Sequence, residues 1–220
     1  MRALIFDFDG LMVETESPEY VAWQEVYRQH GQDLPLEVWA ECVGRPSGWF
    51  DPLAHLEGLL GQPVQRVEVL ARQRERVDQV VHSQPLLPGV ADYLRDAAAL
   101  GLGLAVASSS SRAWVTGHLT RLSVDTCWAC IRCREDVERG KPDPDLYLAA
   151  LAGLGVAADD AIAFEDSPNG VLAAKSAGLR CVIVPNPLTA SLTFSPADLR
   201  LESLAQLPLA DLLRRFELPA

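Results

Sequence analysis

The chain has no apolar stretch long enough to cross a bilayer, no internal repeat and no low-complexity segment. No basic segment followed by a long apolar core opens it, so no secretory leader is expected. Cysteine is scarce: five in 220 residues do not make a disulfide framework, and a reducing cytoplasm is the simpler expectation. Positive charge is short as well. Lys plus Arg number 19 against 30 Asp plus Glu, a net charge of −11, which argues against a nucleic-acid or anionic-membrane surface. Nothing suggests a large exposed apolar face, and a monomer is expected. Hydrophobic residues make up 49% of the chain, enough for a substantial core or a core plus a smaller domain.

What is present is a rhythm. After residue 85, short apolar runs alternate with helical stretches. Pro88-Gly89 opens a helix running to Leu100, with Gly101 where a C-terminal cap glycine belongs. Residues 102–107 read as a buried strand ending in a serine run, 128–131 as a short strand, and 161–164 and 181–184 as two more. Asp143-Pro144 and Ser167-Pro168 each read as a helix N-cap followed by proline at the first helical position. Such alternation predicts an α/β fold, a parallel sheet covered on both faces. The segment between the first strand and residue 84 breaks the rhythm. Helical patterns start at Ser17-Pro18 and cover about 35–43, 51–60 and 64–82, with no strand among them. An all-helical insert is expected over 15–82, with the core split between 1–14 and 83–220. The proline-rich stretch 185–208 is expected to wrap the core as loops and short helices.

The chemistry gathers at strand ends. The apolar run Ala3–Phe6 stops at Asp7, with Asp9 and Gly10 next. The run 161–164 stops at Glu165-Asp166, and 102–107 stops at Ser108. In an open parallel sheet the carboxyl ends of strands are where ligands bind. Four carboxylates brought together there need balancing charge. Lys141, between Gly140 and Pro142, supplies one positive charge, and Mg²⁺, which favours oxygen ligands and keeps water, suits the rest. Ser108, ahead of a helix N-terminus, marks an anion site.

These residues resemble the four motifs of the haloacid dehalogenase superfamily of phosphatases and phosphomutases. Asp7-Phe-Asp-Gly10 is similar to the first motif, Ser108 to the second, Gly140-Lys141-Pro142-Asp143-Pro144 to the third and Phe164-Glu-Asp-Ser-Pro-Asn-Gly170 to the fourth. The order resembles the subgroup with a helical cap between the first two motifs, which includes β-phosphoglucomutase and phosphoglycolate phosphatase. The resemblance implies a Rossmann-like core with a helical cap and a Mg²⁺-dependent phosphatase acting on a small phosphorylated metabolite. It implies Asp7 as the nucleophile that becomes an aspartyl-phosphate and Asp9 as general acid, then base. It implies Asp7, Asp166 and Glu165 as metal ligands, with Asp9 contributing its backbone carbonyl. Lys141 and Ser108 would hold phosphoryl oxygens, helped by backbone N–H groups near Asp9, Gly10 and Ser109. Thr15 matches a position near the hinge that steadies Asp9.

One departure matters. Where β-phosphoglucomutase has a histidine, this chain has Glu19, which favours a phosphatase over a phosphosugar mutase; its plain alternative is to complement the dipole of its helix. A catalytically silent phosphate-binding module is the third reading, against which every motif carboxylate and the lysine stand. Arg45, in a Gly44-Arg45-Pro46 turn, is the best candidate to grip a second anionic group of the substrate. Arg72, Arg74 and Arg76 fit a solvated helix face better, and Trp49 and Phe50 either line the cavity or pack the insert. Cys127, Cys130 and Cys133 have metal-site spacing but no fourth ligand, and a strand there would splay them. His30, His55 and His82 show no partner pattern.

Overall fold

The computed structural model describes residues 1–40, 50–190 and 192–217. Strand β1 (Ala3–Phe6) leads into helices α1 (Glu16–Gln29), α2 (Leu36–Ala40), α3 (Pro52–Leu60) and α4 (Arg66–Val81). The chain then alternates: α5 (Val90–Ala99), β2 (Gly103–Ala107), α6 (Arg112–Arg121), β3 (Cys130–Arg132), α7 (Asp145–Leu154), β4 (Ala161–Glu165), α8 (Pro168–Ser176), β5 (Arg180–Ile183), β6 (Leu199–Arg200) and α9 (Leu209–Glu217). The expected α/β fold is observed. The six strands form one sheet in the order β3-β2-β1-β4-β5-β6, every pairing parallel. Strand order reverses between β1 and β4, and at such a switch point a crevice opens beyond the strand ends.

The sheet has two unlike faces. Leu4, Phe6, Leu104, Val106, Ile162 and Phe164 point to one, against α5, α6 and α9. Ala3, Ile5, Ala105, Ala107, Ala161 and Ala163 point to the other, against α7 and α8. In β2 and β4 the period-2 alternation thus separates large side chains from small ones. Phe6 stacks on Phe164 with centroids 4.8 Å apart, and Tyr93 meets Phe164 edge-on at 5.6 Å. Such aromatic pairs contribute about 0.5–1.5 kcal/mol each beyond their buried area. Beneath the last residues of β1 and β4 the floor is therefore rigid.

Helices α1–α4 bury an apolar cluster of their own, with Trp23, Val26 and Tyr27 from α1, Leu53 and Leu56 from α3 and Val69 from α4. Asp51 caps α3, its Oδ1 accepting from Leu53 and Ala54 N–H. The helix expected over 35–43 is seen as Leu36–Ala40; Arg45 and Trp49 lie outside the described residues. Phe50 packs with the insert cluster.

Some boundaries move. α7 begins at Asp145 with Pro144 as its cap residue, and Asp143 pairs with Arg139 instead of capping. The third strand falls at Cys130–Arg132, not 128–131, because its pairing follows Ala105–Ala107 of β2. The tail contains a two-residue strand, β6, before α9, which packs Leu209 and Leu212 onto the large-residue face. The three spaced cysteines are splayed as a strand requires: Cys130 packs toward the alanine face, Cys127 and Cys133 toward the other. Burial pushes the Cys133 thiol up to about 11.

Candidate active site

Register decides what meets at the crevice. Phe6 of β1 pairs with Phe164 of β4 and Val106 of β2. The next residues, Asp7 and Glu165, therefore stand side by side at the strand ends, and Asp7 N–H donates to the Phe164 carbonyl at 3.0 Å. Asp166 follows, and Ser108 leaves β2 on the other side. Gly10 turns the chain back with φ +76°; a Cβ there would lie 2.2 Å from Asp166 Oδ2, so the close approach of this turn to the carboxylate demands glycine.

Lys141 is the centre of the polar network. Its Nζ donates to Asp7 Oδ1 at 2.5 Å and to Glu165 Oε1 at 2.6 Å. Tyr147 of α7 donates to the same Glu165 oxygen at 2.5 Å, and the Lys141 ammonium lies 5.1 Å from its ring centroid. Glu165 Oε2 accepts from Asp166 N–H and Ser167 Oγ at 3.3 and 3.4 Å. The first turn of α8 presses on this carboxylate so tightly that a Cβ on Gly170 would sit 1.9 Å from it. Asp166 Oδ2 accepts from Asn186 Nδ2 at 2.7 Å, and Asn186 is locked by a turn with Leu188 and Thr189.

Electrostatics mark the same place. Burial pushes the Asp7 carboxyl up to about 7, against the pull of Lys141 and with further push from Glu165 and Asp9. Burial, then Asp7 and Glu165, raise Asp166 well above the usual range. Burial alone would lower the Lys141 ammonium, but Asp7 and Glu165 outweigh it and hold it above its ordinary value. Oxygens of Asp7, Glu165 and Asp166 all lie within 4.8 Å of one another. One ammonium does not balance three carboxylates. The all-oxygen donor set and the raised pKa values fit a hard divalent cation such as Mg²⁺.

Asp9 behaves differently. Its side chain faces the β2–α6 segment, where Trp114 Nε1, Ser110 Oγ and Ser108 Oγ donate to it at 2.9, 2.6 and 3.4 Å. Ser108 is fully buried and its Oγ also accepts from Ser110 N–H. Ser109 is exposed on the same loop. Gly10 N–H closes its own turn on the Val13 carbonyl at 2.8 Å and so is not directed at the carboxylate cluster. Thr15 is buried, and its Oγ1 has no hydrogen-bond partner among the described residues; Asp9 takes its bonds from Trp114 and the serines of the β2–α6 segment instead. The first turn of α1 carries Glu16 and Glu19 to the mouth. Burial, then Glu19, Asp9 and Asp7, push Glu16 up to about 8, and Glu19, exposed on one side, is raised by burial and Asp9. Arg72 and Arg76 are taken up in ion pairs with Glu68 and Glu25 within the insert. Trp114, Ser110, Tyr147, Glu16 and Asn186 are thus site residues that the motifs do not name. Asn186 and Ser110 carry a sequence signal, a polar residue just beyond the end of a strand.

Comparison with known proteins shows the family. Residues 4–184 match the model of the haloacid dehalogenase-like hydrolase family. The chain is 46% identical over 213 residues to the Bacillus subtilis protein named "Putative phosphatase YhcW", covering 97% of this chain and 96% of that one. It is 31% identical to hexitol phosphatase B of Escherichia coli, covering 96% of each. The crystal structure of CbbY from Rhodobacter sphaeroides in complex with phosphate superposes with a TM-score of 0.79 at 32% identity, covering 96% of this chain and 99% of that one.

Proposed function

The chain belongs to the haloacid dehalogenase-like hydrolases, and we propose that it cleaves a small phosphorylated metabolite through an aspartyl-phosphate with Mg²⁺ bound. It is a phosphoric monoester hydrolase. One observation carries the finer reading: Lys141 bridges Asp7 and Glu165, beside Asp166, at the ends of adjacent strands.

An oxygen of Asp7 attacks phosphorus while the bond to the leaving oxygen breaks and Asp9 donates a proton to that oxygen. Water then attacks the aspartyl-phosphate, Asp9 takes its proton, and phosphate leaves with Asp7 restored. Lys141 and the Ser108 hydroxyl hold phosphoryl oxygens as charge develops. Asp7 and Asp166 would hold the cation by side-chain oxygens, Asp9 by its carbonyl, and Glu165 directly or through water. A cation there screens Asp7 from the dianion it must approach. Residues 15–82 act as a cap over the core formed by 1–14 and 83–220, and their closure excludes bulk water during transfer.

The test is phosphate release from a panel of phosphorylated metabolites, with Mg²⁺ and after chelation. Release that needs Mg²⁺ is expected. With a hexose 1-phosphate and a bisphosphate primer, free phosphate is expected; isomerised sugar in its place would reassign the chain as a mutase.

Metal binding also has a signature independent of turnover. In the metal-free protein Asp7 keeps its proton up to about pH 7, whereas an unfolded aspartate loses it near about 3.9. The folded state binds more protons in that window, so stability falls as pH rises from about 4 to about 7. A cation that takes the proton's place removes this loss. Added Mg²⁺ should therefore raise the unfolding temperature more at about pH 7.5 than at about pH 5. An equal rise at both, or none, measured by thermal unfolding, would count against the cluster as a cation site.

A further inference from the structure

The surroundings of Asp9 hold more order than a mobile acid needs. Oδ1 accepts from the indole N–H of Trp114, and Oδ2 accepts from the hydroxyls of Ser110 and, at longer range, Ser108. These donors differ in kind. A serine hydroxyl rotates and can donate or accept, whereas an indole N–H only donates. The oxygen facing Trp114 is therefore always an acceptor. When Asp9 carries a proton, it sits on Oδ2, on the side of Ser108.

Trp114 is itself fixed from behind. Its ring meets His118 edge-on, centroids 4.3 Å apart. His118 is buried, and Arg121 Nε donates to its Nδ1 at 3.2 Å. Burial and Arg121 draw His118 below the ordinary imidazole range, which suits Nδ1 as an acceptor. Arg121 in turn donates to the carbonyls of Gln84 at 2.9 Å and Val81 at 3.3 Å, where the chain leaves the helical insert. One face of α6 thus runs from the exit of the insert to the Asp9 carboxyl.

We infer that Trp114, supported by Ser110, is a positioning residue that assigns the two oxygens of Asp9, Oδ1 to the indole and Oδ2 to the leaving group. The inference rests on the phosphatase reading above. In the step it serves, an Asp7 oxygen bonds to phosphorus, the ester P–O bond breaks, and the proton on Asp9 Oδ2 passes to the departing oxygen. Without the indole donor only the rotatable serine hydroxyls restrain the carboxyl about its χ2 bond, and the proton faces the leaving oxygen for only part of the time. Misalignment of this kind lowers a rate without removing the catalytic group.

The test compares two aryl esters. p-Nitrophenolate departs without a proton, whereas phenoxide needs one. kcat/KM stops at the first irreversible step and so reports transfer from the ester, not the later attack of water. Trp114→Phe, which keeps the ring against His118, should lower kcat/KM about tenfold on phenyl phosphate and about twofold on p-nitrophenyl phosphate. Ser110→Ala should shift the ratio the same way by a smaller factor. Equal losses on both esters in Trp114→Phe, or an unchanged ratio, would overturn the inference, and a lowered unfolding temperature with that ratio unchanged would leave Trp114 a packing residue only. Hydrolysis of both esters by the unsubstituted protein bears on the phosphatase reading alone; the ratio bears on Trp114.

Discussion

Asp7→Asn should lower turnover of p-nitrophenyl phosphate by at least about 10⁴-fold, the scale on which an enzyme loses its nucleophile. The amide keeps the size of the carboxyl, and its oxygen still accepts from Lys141, so the loss is chemical and not one of folding. Stability supports the distinction. Asp7 is buried beside Glu165 and Asp9, and its ionised form is disfavoured. Removing that charge should leave the metal-free unfolding temperature at neutral pH equal to the parent's or higher. Steady-state assay and thermal unfolding of the same sample check both parts. Turnover within tenfold of the parent would remove Asp7 from its role.

Lys141→Met should act on both activity and stability. Its side chain is 6% exposed, and its ammonium is bonded to two carboxylates. Breaking a buried pair by deleting one partner costs about 3–5 kcal/mol, because the remaining charge is uncompensated. Asp7, which burial already holds toward its protonated form, will take up a proton where it can. The penalty is therefore smallest at low pH and grows as pH rises through the range in which that proton leaves. Mg²⁺ should recover part of the stability and little of the activity, since the lysine also holds phosphoryl oxygens; a loss of about 10²–10³ in kcat is expected. Denaturant unfolding at two pH values, with and without Mg²⁺, measures this. Unchanged stability with near-normal turnover would mean the bridge is not used.

Much of this site is visible in the sequence, because its carboxylates stand where apolar runs stop and the fold brings those stops together. Asp7, Glu165 and Ser108 need only the rule that parallel strands end at one edge. Trp114 is different. It lies 105 residues from Asp9, on a helix whose sequence shows periodicity but not which residue turns toward the crevice. Tyr147 looks like any core aromatic on α7 until its hydroxyl is seen against Glu165. Ser110 is hidden in a run of four serines. Gly10 and Gly170 can be read as turn and helix-start residues, but the Asp166 carboxylate that forbids a side chain at Gly10 follows another strand, and the Glu165 carboxylate meets Gly170 only once α8 folds back on the end of β4. In the tail, β6 is too short to show a period, and prolines mask the approach to α9.

The two faces of the sheet also differ in how they would tolerate change. On the alanine side the strands offer α7 almost no cushion, and this helix carries Tyr147 and follows directly on the loop of Lys141. An added methyl at Ala105, on the strand that α7 packs against, would act as a shim, lifting the helix and with it the phenol that braces Glu165. The large-residue face can absorb such changes by repacking. Directed variation on the thin face is thus a fine adjustment screw for the ammonium position, reached from the core without touching any residue that meets the substrate.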